Sequence, residues 1–216
     1  MRDMLHALSI LLLGLSSAAV FARDDGLDNG ILDIQHAWEH VHYEVPKDKQ
    51  EAAFPQVEKE ADVLVSRYPG RAEPLVWKAI VLSTHAGAKG GLGALGMVRQ
   101  ARELLEQAEK IDPNTLNGSI YTTLGSLYYQ VPGWPLGYGD DEKAEQFLKK
   151  ALAINPGGID ANYFYGDFLY RQGRYPEALS VLEKALHAPP RPNRPLADAG
   201  RRKEIQAIIE KIKDKA

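Results

Sequence analysis

Alanine, leucine and proline recur along this chain with a fixed spacing. An alanine is followed four residues later by leucine, three residues after that by a second alanine, and five residues after that by proline. Positions three and four residues apart share one face of an α-helix, so the spacing predicts a helix that ends before the proline. The three occurrences are Ala101, Leu105, Ala108 and Pro113; Ala144, Leu148, Ala151 and Pro156; and Ala178, Leu182, Ala185 and Pro190.

A second apolar segment precedes each of these helices and predicts a helical partner for it. The clearest segments place a small residue, Gly125 or Gly166, after an aromatic or leucine residue. Small residues let two helices approach closely, and we expect Gly125 and Gly166, with Ala144 and Ala178 of the second helices, to allow this within each pair. The pattern therefore predicts helices that pack in consecutive pairs.

Two upstream pairs are less regular, and a last helix follows the final pair. Trp38 and Trp77 mark the first helices of the irregular pairs. At the C-terminal end, isoleucines at helical spacing alternate with Arg, Lys and Glu, which predicts a helix that caps the last repeat with a polar outer face. We predict degenerate repeats at about 30–70 and 71–114, clearer repeats at about 115–157 and 158–191, and the capping helix at about 195–214.

A recurring two-helix unit with these signatures resembles the tetratricopeptide repeat (TPR) family. The resemblance implies an all-α fold, a right-handed solenoid of about four helix pairs plus a C-terminal capping helix. We expect these repeats to form a single domain over residues 23–216.

The first residues have the order of a secretory signal peptide. A basic start at Arg2 precedes an apolar stretch from Leu5 to Phe21, and small residues up to Ala22 precede the polar residues 23–25. We predict a signal peptide over residues 1–22 that is cleaved after Ala22, and hence a periplasmic or secreted protein. The alternative is an uncleaved membrane anchor.

Composition narrows the classes of function. The chain contains no cysteine, which excludes disulfides, thiolate metal sites, a cysteine nucleophile and a lipid-modified cysteine. A formal net charge of −3 argues against nucleic-acid binding and against a polybasic membrane patch. We expect no membrane insertion after signal cleavage, because no second long apolar stretch follows.

Two turns inside the repeats are longer than the family pattern requires. They contain residues 87–93, which are glycine-rich, and residues 131–140, which are rich in Gly, Pro and aromatic residues. Both join the two helices of a pair, so we expect them on the same edge of the solenoid. Trp134 and Tyr138 are therefore candidate binding residues, although Trp134 could instead fill a neighbouring apolar gap.

The family resemblance also implies that the first helix of each pair lines a concave surface. When the concave positions of the family are carried over to this sequence, the residues found there are polar or aromatic, which suits a peptide or a small polar ligand. The alternative is a concave face that is merely solvated. The candidates are Thr122, Ser126, Tyr129, Tyr163, Asp167 and Tyr170, with Lys78 and His85 from a less regular repeat.

His36 and His40 form a five-residue His-x-x-Glu-His segment that resembles the inverted zincin motif. The two histidines are weak metal candidates, because nothing downstream marks the carboxylate ligand that this enzyme class needs. We expect no cofactor and no catalytic residues.

The leading hypothesis is an exported binding or scaffold protein that recognises a segment of a periplasmic or envelope protein. The alternative is a solute-binding accessory of a transport system, since the chain shows a general resemblance to the T-components of TRAP transporters. A zinc hydrolase is a distant third. A closed cavity would favour the solute hypothesis, and an open groove would favour a protein partner.

Overall fold

The computed structural model describes residues 25–215, and this part of the chain is helical, with nine α-helices and no strand. The predicted signal peptide, residues 1–22, lies outside the described residues. The helices are α1 (Asp25–Tyr43), α2 (Lys47–Arg67), α3 (Ala72–Lys89), α4 (Leu95–Ile111), α5 (Ser119–Gln130), α6 (Asp141–Ile154), α7 (Ile159–Arg171), α8 (Tyr175–Leu186) and α9 (Pro195–Lys213). Between residues 25 and 215, no helix is both long enough and apolar enough to cross a bilayer.

Consecutive helices pack as four pairs, α1 with α2, α3 with α4, α5 with α6 and α7 with α8, and α9 packs on the last pair. The predicted all-α solenoid of helix pairs with a final helix is therefore confirmed. The start of α6 follows from local chemistry, since Asp140 accepts a hydrogen bond at 3.0 Å from the backbone N–H of Lys143 and so caps the helix.

Glycines set the spacing within the two regular pairs. A Cβ atom on Gly125 would lie 2.6 Å from Cγ of Leu148, and one on Gly166 would lie 2.6 Å from Cγ of Leu182. Both leucines are fully buried. The helices can approach this closely because the glycines leave room for the leucine side chains.

The glycine-rich turn is shorter than predicted. Helix α3 continues through Gly87 to Lys89, so a segment expected to be loop is helical. Gly90 and Gly91 then take left-handed backbone conformations, with φ of 66° and 62°, and a 3₁₀ turn over Leu92–Ala94 leads into α4. An isolated glycine inside a helical segment is tolerated, and the break falls where two successive residues need positive φ.

The first and last helices contact each other, although no feature of the sequence pattern indicates it. Helix α9 covers the last pair as a capping helix should, but it also packs against α1. Tyr43 of α1 lies so close to Gly200 of α9 that no side chain could replace the glycine hydrogen. Glu39 accepts a hydrogen bond at 3.2 Å from the backbone N–H of Ala197. We call this α1–α9 contact the seam.

Candidate functional site

Two adjoining cavities occupy the concave side of the solenoid. The loop-side cavity, of about 790 Å³, is lined by Gly90–Leu92 of one long turn and by Val131 and Pro132 of the other. The seam-side cavity, of about 510 Å³, is lined by residues that include Trp77, Asp160 and Arg194. Both volumes lie in the range of small-ligand sites. The side chains common to both linings are Trp38, Ser83, Thr84, Ser126, Phe164 and Arg201.

Four of the residues predicted for the concave face line these cavities. Thr122 lines the seam-side cavity, Tyr163 and Asp167 line the loop-side cavity, and Ser126 lines both. The Thr122 hydroxyl donates to the backbone carbonyl of Gly118 at 3.2 Å, and the Ser126 hydroxyl donates to that of Thr123 at 2.9 Å. These two residues therefore contribute small polar side chains to the cavity lining, and their hydroxyl protons are already engaged in hydrogen bonds.

Asp167 is held by two neighbours. The hydroxyl of Tyr129 donates to its Oδ2 at 2.7 Å, and Nε of Arg171 donates to the same oxygen at 3.0 Å. Burial, and then the Asp167 carboxylate, raise the pKa of Tyr129 well above its usual value. Tyr129 is thus a neutral donor that fixes the orientation of Asp167, and it is absent from the linings of both cavities.

Tyr170, Lys78 and His85 lie away from both cavities. Tyr170 packs against Tyr175, with Nζ of Lys215 5.2 Å from the centre of its ring. Lys78 forms an ion pair with Asp62 of α2, and Nδ1 of His85 contacts the Glu58 carboxylate of α2, so both residues join α3 to α2. In this less regular pair the positions carried over from the family face the preceding helix.

The second long turn separates its two aromatic residues. Trp134 is 90% exposed, which is inconsistent with the alternative that it fills an apolar gap. Tyr138 instead anchors the turn to α4, since its hydroxyl donates to the backbone carbonyl of Val98 at 2.8 Å and Arg102 lies 4.4 Å from its ring centre. Tyr138 therefore positions the turn, and Trp134 is presented to solvent.

The imidazoles of His36 and His40 contact different residues. Nε2 of His36 lies 2.8 Å from the backbone carbonyl of Asn193, and Nδ1 of His40 lies 2.7 Å from the Glu44 carboxylate. Across residues 25–215, no group of three or more His, Asp or Glu side chains is arranged to hold a metal ion.

Arginines beside the seam-side cavity are functional candidates that the sequence pattern did not reveal. The side chain of Arg201 is only 8% exposed and pairs with Asp160 at 2.8 Å and with Glu204 at 2.7 Å. Arg191 pairs with Asp160 and with Asp198, both at 2.7 Å. The arginine- and proline-rich segment over residues 189–195 is a sequence signal for this cluster, but it does not indicate where the side chains point.

Two carboxylates of this cluster, Asp160 and Glu204, favour their ionised forms. Burial alone would raise the pKa of Asp160 and of Glu204, but the neighbouring Arg201 holds both pKa values below their usual range. For Asp160, Arg191 and Arg194 act in the same direction. The cluster is therefore a set of fixed charges at neutral pH.

The stability of the fold should fall in acid because of these carboxylates. The unfolded chain takes up protons near the ordinary carboxylate pKa of about 4, before Asp160 and Glu204 do so in the folded chain. Stability should thus be complete above about pH 5 and decrease as the pH falls further. Chemical denaturation at a series of pH values measures this slope, which should flatten in the Asp160→Asn/Glu204→Gln variant. An unchanged slope in that variant, compared with the exposed-site control Glu210→Gln, would contradict this assignment.

Comparisons with known proteins agree with the helical-pair architecture. A tetratricopeptide-repeat family model matches residues 136–203, and no curated protein matches the chain. A solved structure, a thermophilic TPR protein of Thermus thermophilus, superposes with a TM-score of 0.54 at 17% identity, covering 84% of this chain and 99% of the other. The resemblance to TRAP transporter components receives no support from either match. Tetratricopeptide-repeat sequence is therefore shown for residues 136–203, which hold α6, α7, α8 and the start of α9, and the superposition shows that the chain shares the solenoid fold of a TPR protein.

Proposed function

We propose that this chain is a non-catalytic binding protein that recognises a segment of a partner protein through its concave face and the two long turns. The tetratricopeptide-repeat fold itself favours an interaction scaffold. The predicted signal peptide supports the further proposal that the partner is a periplasmic or envelope protein.

The apolar tips of the two turns carry this proposal. Leu92 is 73% exposed, Trp134 is 90% exposed and Leu136 is 53% exposed, and both of their turns contribute residues to the lining of the loop-side cavity. Large apolar side chains gain most when a partner covers them, and tryptophan is enriched among the residues that dominate binding energy. A partner segment would cover these tips and enter the cavity mouth between them.

A displayed library of random peptides, selected on the full chain, provides a defined test. Peptides that bind should bind Trp134→Ala at least tenfold more weakly, since losing a buried tryptophan contact costs more than about 1.4 kcal/mol. Titration of a fluorescently labelled peptide measures the change. Val63→Ala is the matched control, because Val63 is an exposed apolar residue on α2 away from the turns. The proposal fails if selected peptides bind Trp134→Ala and wild type equally.

A small polar solute is the second candidate ligand, and the seam is the observation that favours it. Contact between α1 and α9 places a wall beside the seam-side cavity, where an open solenoid would leave a groove. Tyr43 lines this cavity and packs on Gly200 across the seam. A walled cavity suits a compact ligand better than a long extended segment.

A further inference from the structure

A buried tryptophan of the seam-side cavity has an unused hydrogen-bond donor. Trp77 is 5% exposed, and its indole Nε1 has no hydrogen-bond partner within the described residues. The neighbouring Trp38 differs, because its Nε1 donates to Oγ1 of Thr84 at 2.9 Å. An unsatisfied buried N–H costs about 1–3 kcal/mol. The Nε1 atom has almost no exposed surface, so a ligand acceptor in the cavity would offset this cost once the ring shifts to meet it.

Arg194 lies directly over this tryptophan and is the least compensated arginine of the cluster. Its guanidinium carbon is 5.0 Å from the Trp77 ring centre and 5.8 Å from that of Trp38. In residues 25–215 it makes one ion pair, a 3.5 Å approach to Glu39 that is not aligned as a hydrogen bond. Burial, and then the charge of Arg191, lower the pKa of Arg194, and a nearby anion would favour its charged form.

The charge of the cavity wall favours an anion. The charged residues that line it are Asp160 and the arginines at 191, 194 and 201, a net charge of 3 − 1 = +2. Both oxygens of Asp160 already accept hydrogen bonds: Oδ2 from Arg191 at 2.7 Å and Oδ1 from Arg201 at 2.8 Å. Arg194 differs from them because its side chain donates no hydrogen bond to any residue between 25 and 215, so its donors are the least committed of the three arginines.

The remaining wall combines apolar rings with small polar groups such as Thr122 and Ser126, and its apolar part favours an organic anion. Trp38, Ile80 and Phe164 line the same cavity as Trp77, and its volume of about 510 Å³ accommodates a small organic molecule. A fully hydrated inorganic ion would leave these apolar surfaces uncovered. An apolar body that carries one acidic group would cover them and meet both donors.

We propose that the seam-side cavity binds a small organic carboxylate, with its oxygens received by the Arg194 guanidinium and the Trp77 indole N–H. The apolar part of the ligand lies against Trp38 and Phe164. A guanidinium presents paired donors that match the two oxygens of a carboxylate. This inference deepens the solute candidate and rests on it, while the protein-segment proposal is independent of it.

The test follows the indole N–H resonances by ¹H–¹⁵N NMR during titration of the full chain. The probes are phenylacetate, 3-phenylpropionate, indole-3-acetate and hexanoate, with the corresponding neutral amides as isosteres. Each Trp→Phe variant assigns one of the three indole signals. At least one carboxylate should shift the Trp77 signal saturably, its amide should bind at least tenfold more weakly, and the signal of exposed Trp134 should not move.

Matched variants locate the site. Arg194→Gln and Trp77→Phe should each weaken the carboxylate at least tenfold, whereas Arg202→Gln, on α9 outside both linings, should not. Thermal unfolding followed by circular dichroism checks that each variant folds. Equal binding of acids and amides at this site would overturn the anion inference and leave the solute candidate standing. If no probe shifts the Trp77 signal, both are wrong, and peptide binding at Trp134 is unaffected by either outcome.

Discussion

Replacing Arg201 with alanine should destabilise the fold by about 2–4 kcal/mol, the largest effect that we expect from a single substitution. The guanidinium is buried, pairs with Asp160 and Glu204, and lies 4.2 Å from the Tyr163 ring centre and 4.9 Å from that of Phe164. Removal leaves two carboxylates without this partner in a confined space. Breaking a fully buried pair costs about 3–5 kcal/mol, and we lower this range because both carboxylates stay about one-third exposed.

Urea unfolding of wild type and Arg201→Ala measures this difference in free energy. Arg202→Ala is the matched control on the same helix, because Arg202 is more exposed, donates to the Ala188 carbonyl at 3.0 Å and is 4.0 Å from Asp198. We expect it to cost less than about 1 kcal/mol. If both variants lose the same stability, the charge cluster does not stabilise the fold as the geometry indicates.

Gly125→Ala should lower the stability by about 2 kcal/mol, although alanine ordinarily stabilises the interior of a helix. The added methyl group would lie 2.6 Å from Cγ of Leu148 and 3.2 Å from the backbone carbonyl of Ala144. Leu148 is fully buried and has little room to move, so α5 and α6 would have to separate.

Gly87→Ala is the opposite case and serves as the control. Gly87 is a helical residue of α3, and a Cβ atom there would meet nothing within 4 Å. This substitution should raise the stability by about 0.5 kcal/mol through helix propensity alone. Thermal unfolding of both variants measures whether each substitution lowers or raises the stability. A gain in stability for Gly125→Ala would show that the α5–α6 contact is looser than the structure indicates.

The candidate site was predictable only in part. Ser126 and Asp167 line the cavities as the family positions imply, because α5 and α7 belong to the regular pairs. Lys78 and His85 were placed by the same rule, but they pair with α2. The rule assumes a repeat geometry that α3 does not keep, and even on α5 and α7 it places Tyr129 and Tyr170, which lie outside both linings, so it identifies only some of the cavity residues.

Tyr138 and Trp134 show a second limit. Both are aromatic residues in one Gly- and Pro-rich turn, and sequence treats them alike. The structure separates them, since Tyr138 donates to the Val98 carbonyl forty residues upstream while Trp134 remains exposed. Which aromatic anchors a turn depends on the neighbouring helix that receives it, and the local sequence does not contain that information.

By itself, the sequence determined that this chain forms helices which pack in pairs. The Ala-Leu-Ala spacing and Gly125 and Gly166 act through contacts between neighbouring helices, so their consequences are local and can be recognised in sequence. The tertiary structure alone decided that α1 meets α9, that Glu39 receives the backbone N–H of Ala197, and that Arg194 lies over Trp77. These groups are more than a hundred residues apart, and their meeting depends on the rotation accumulated over all four helix pairs.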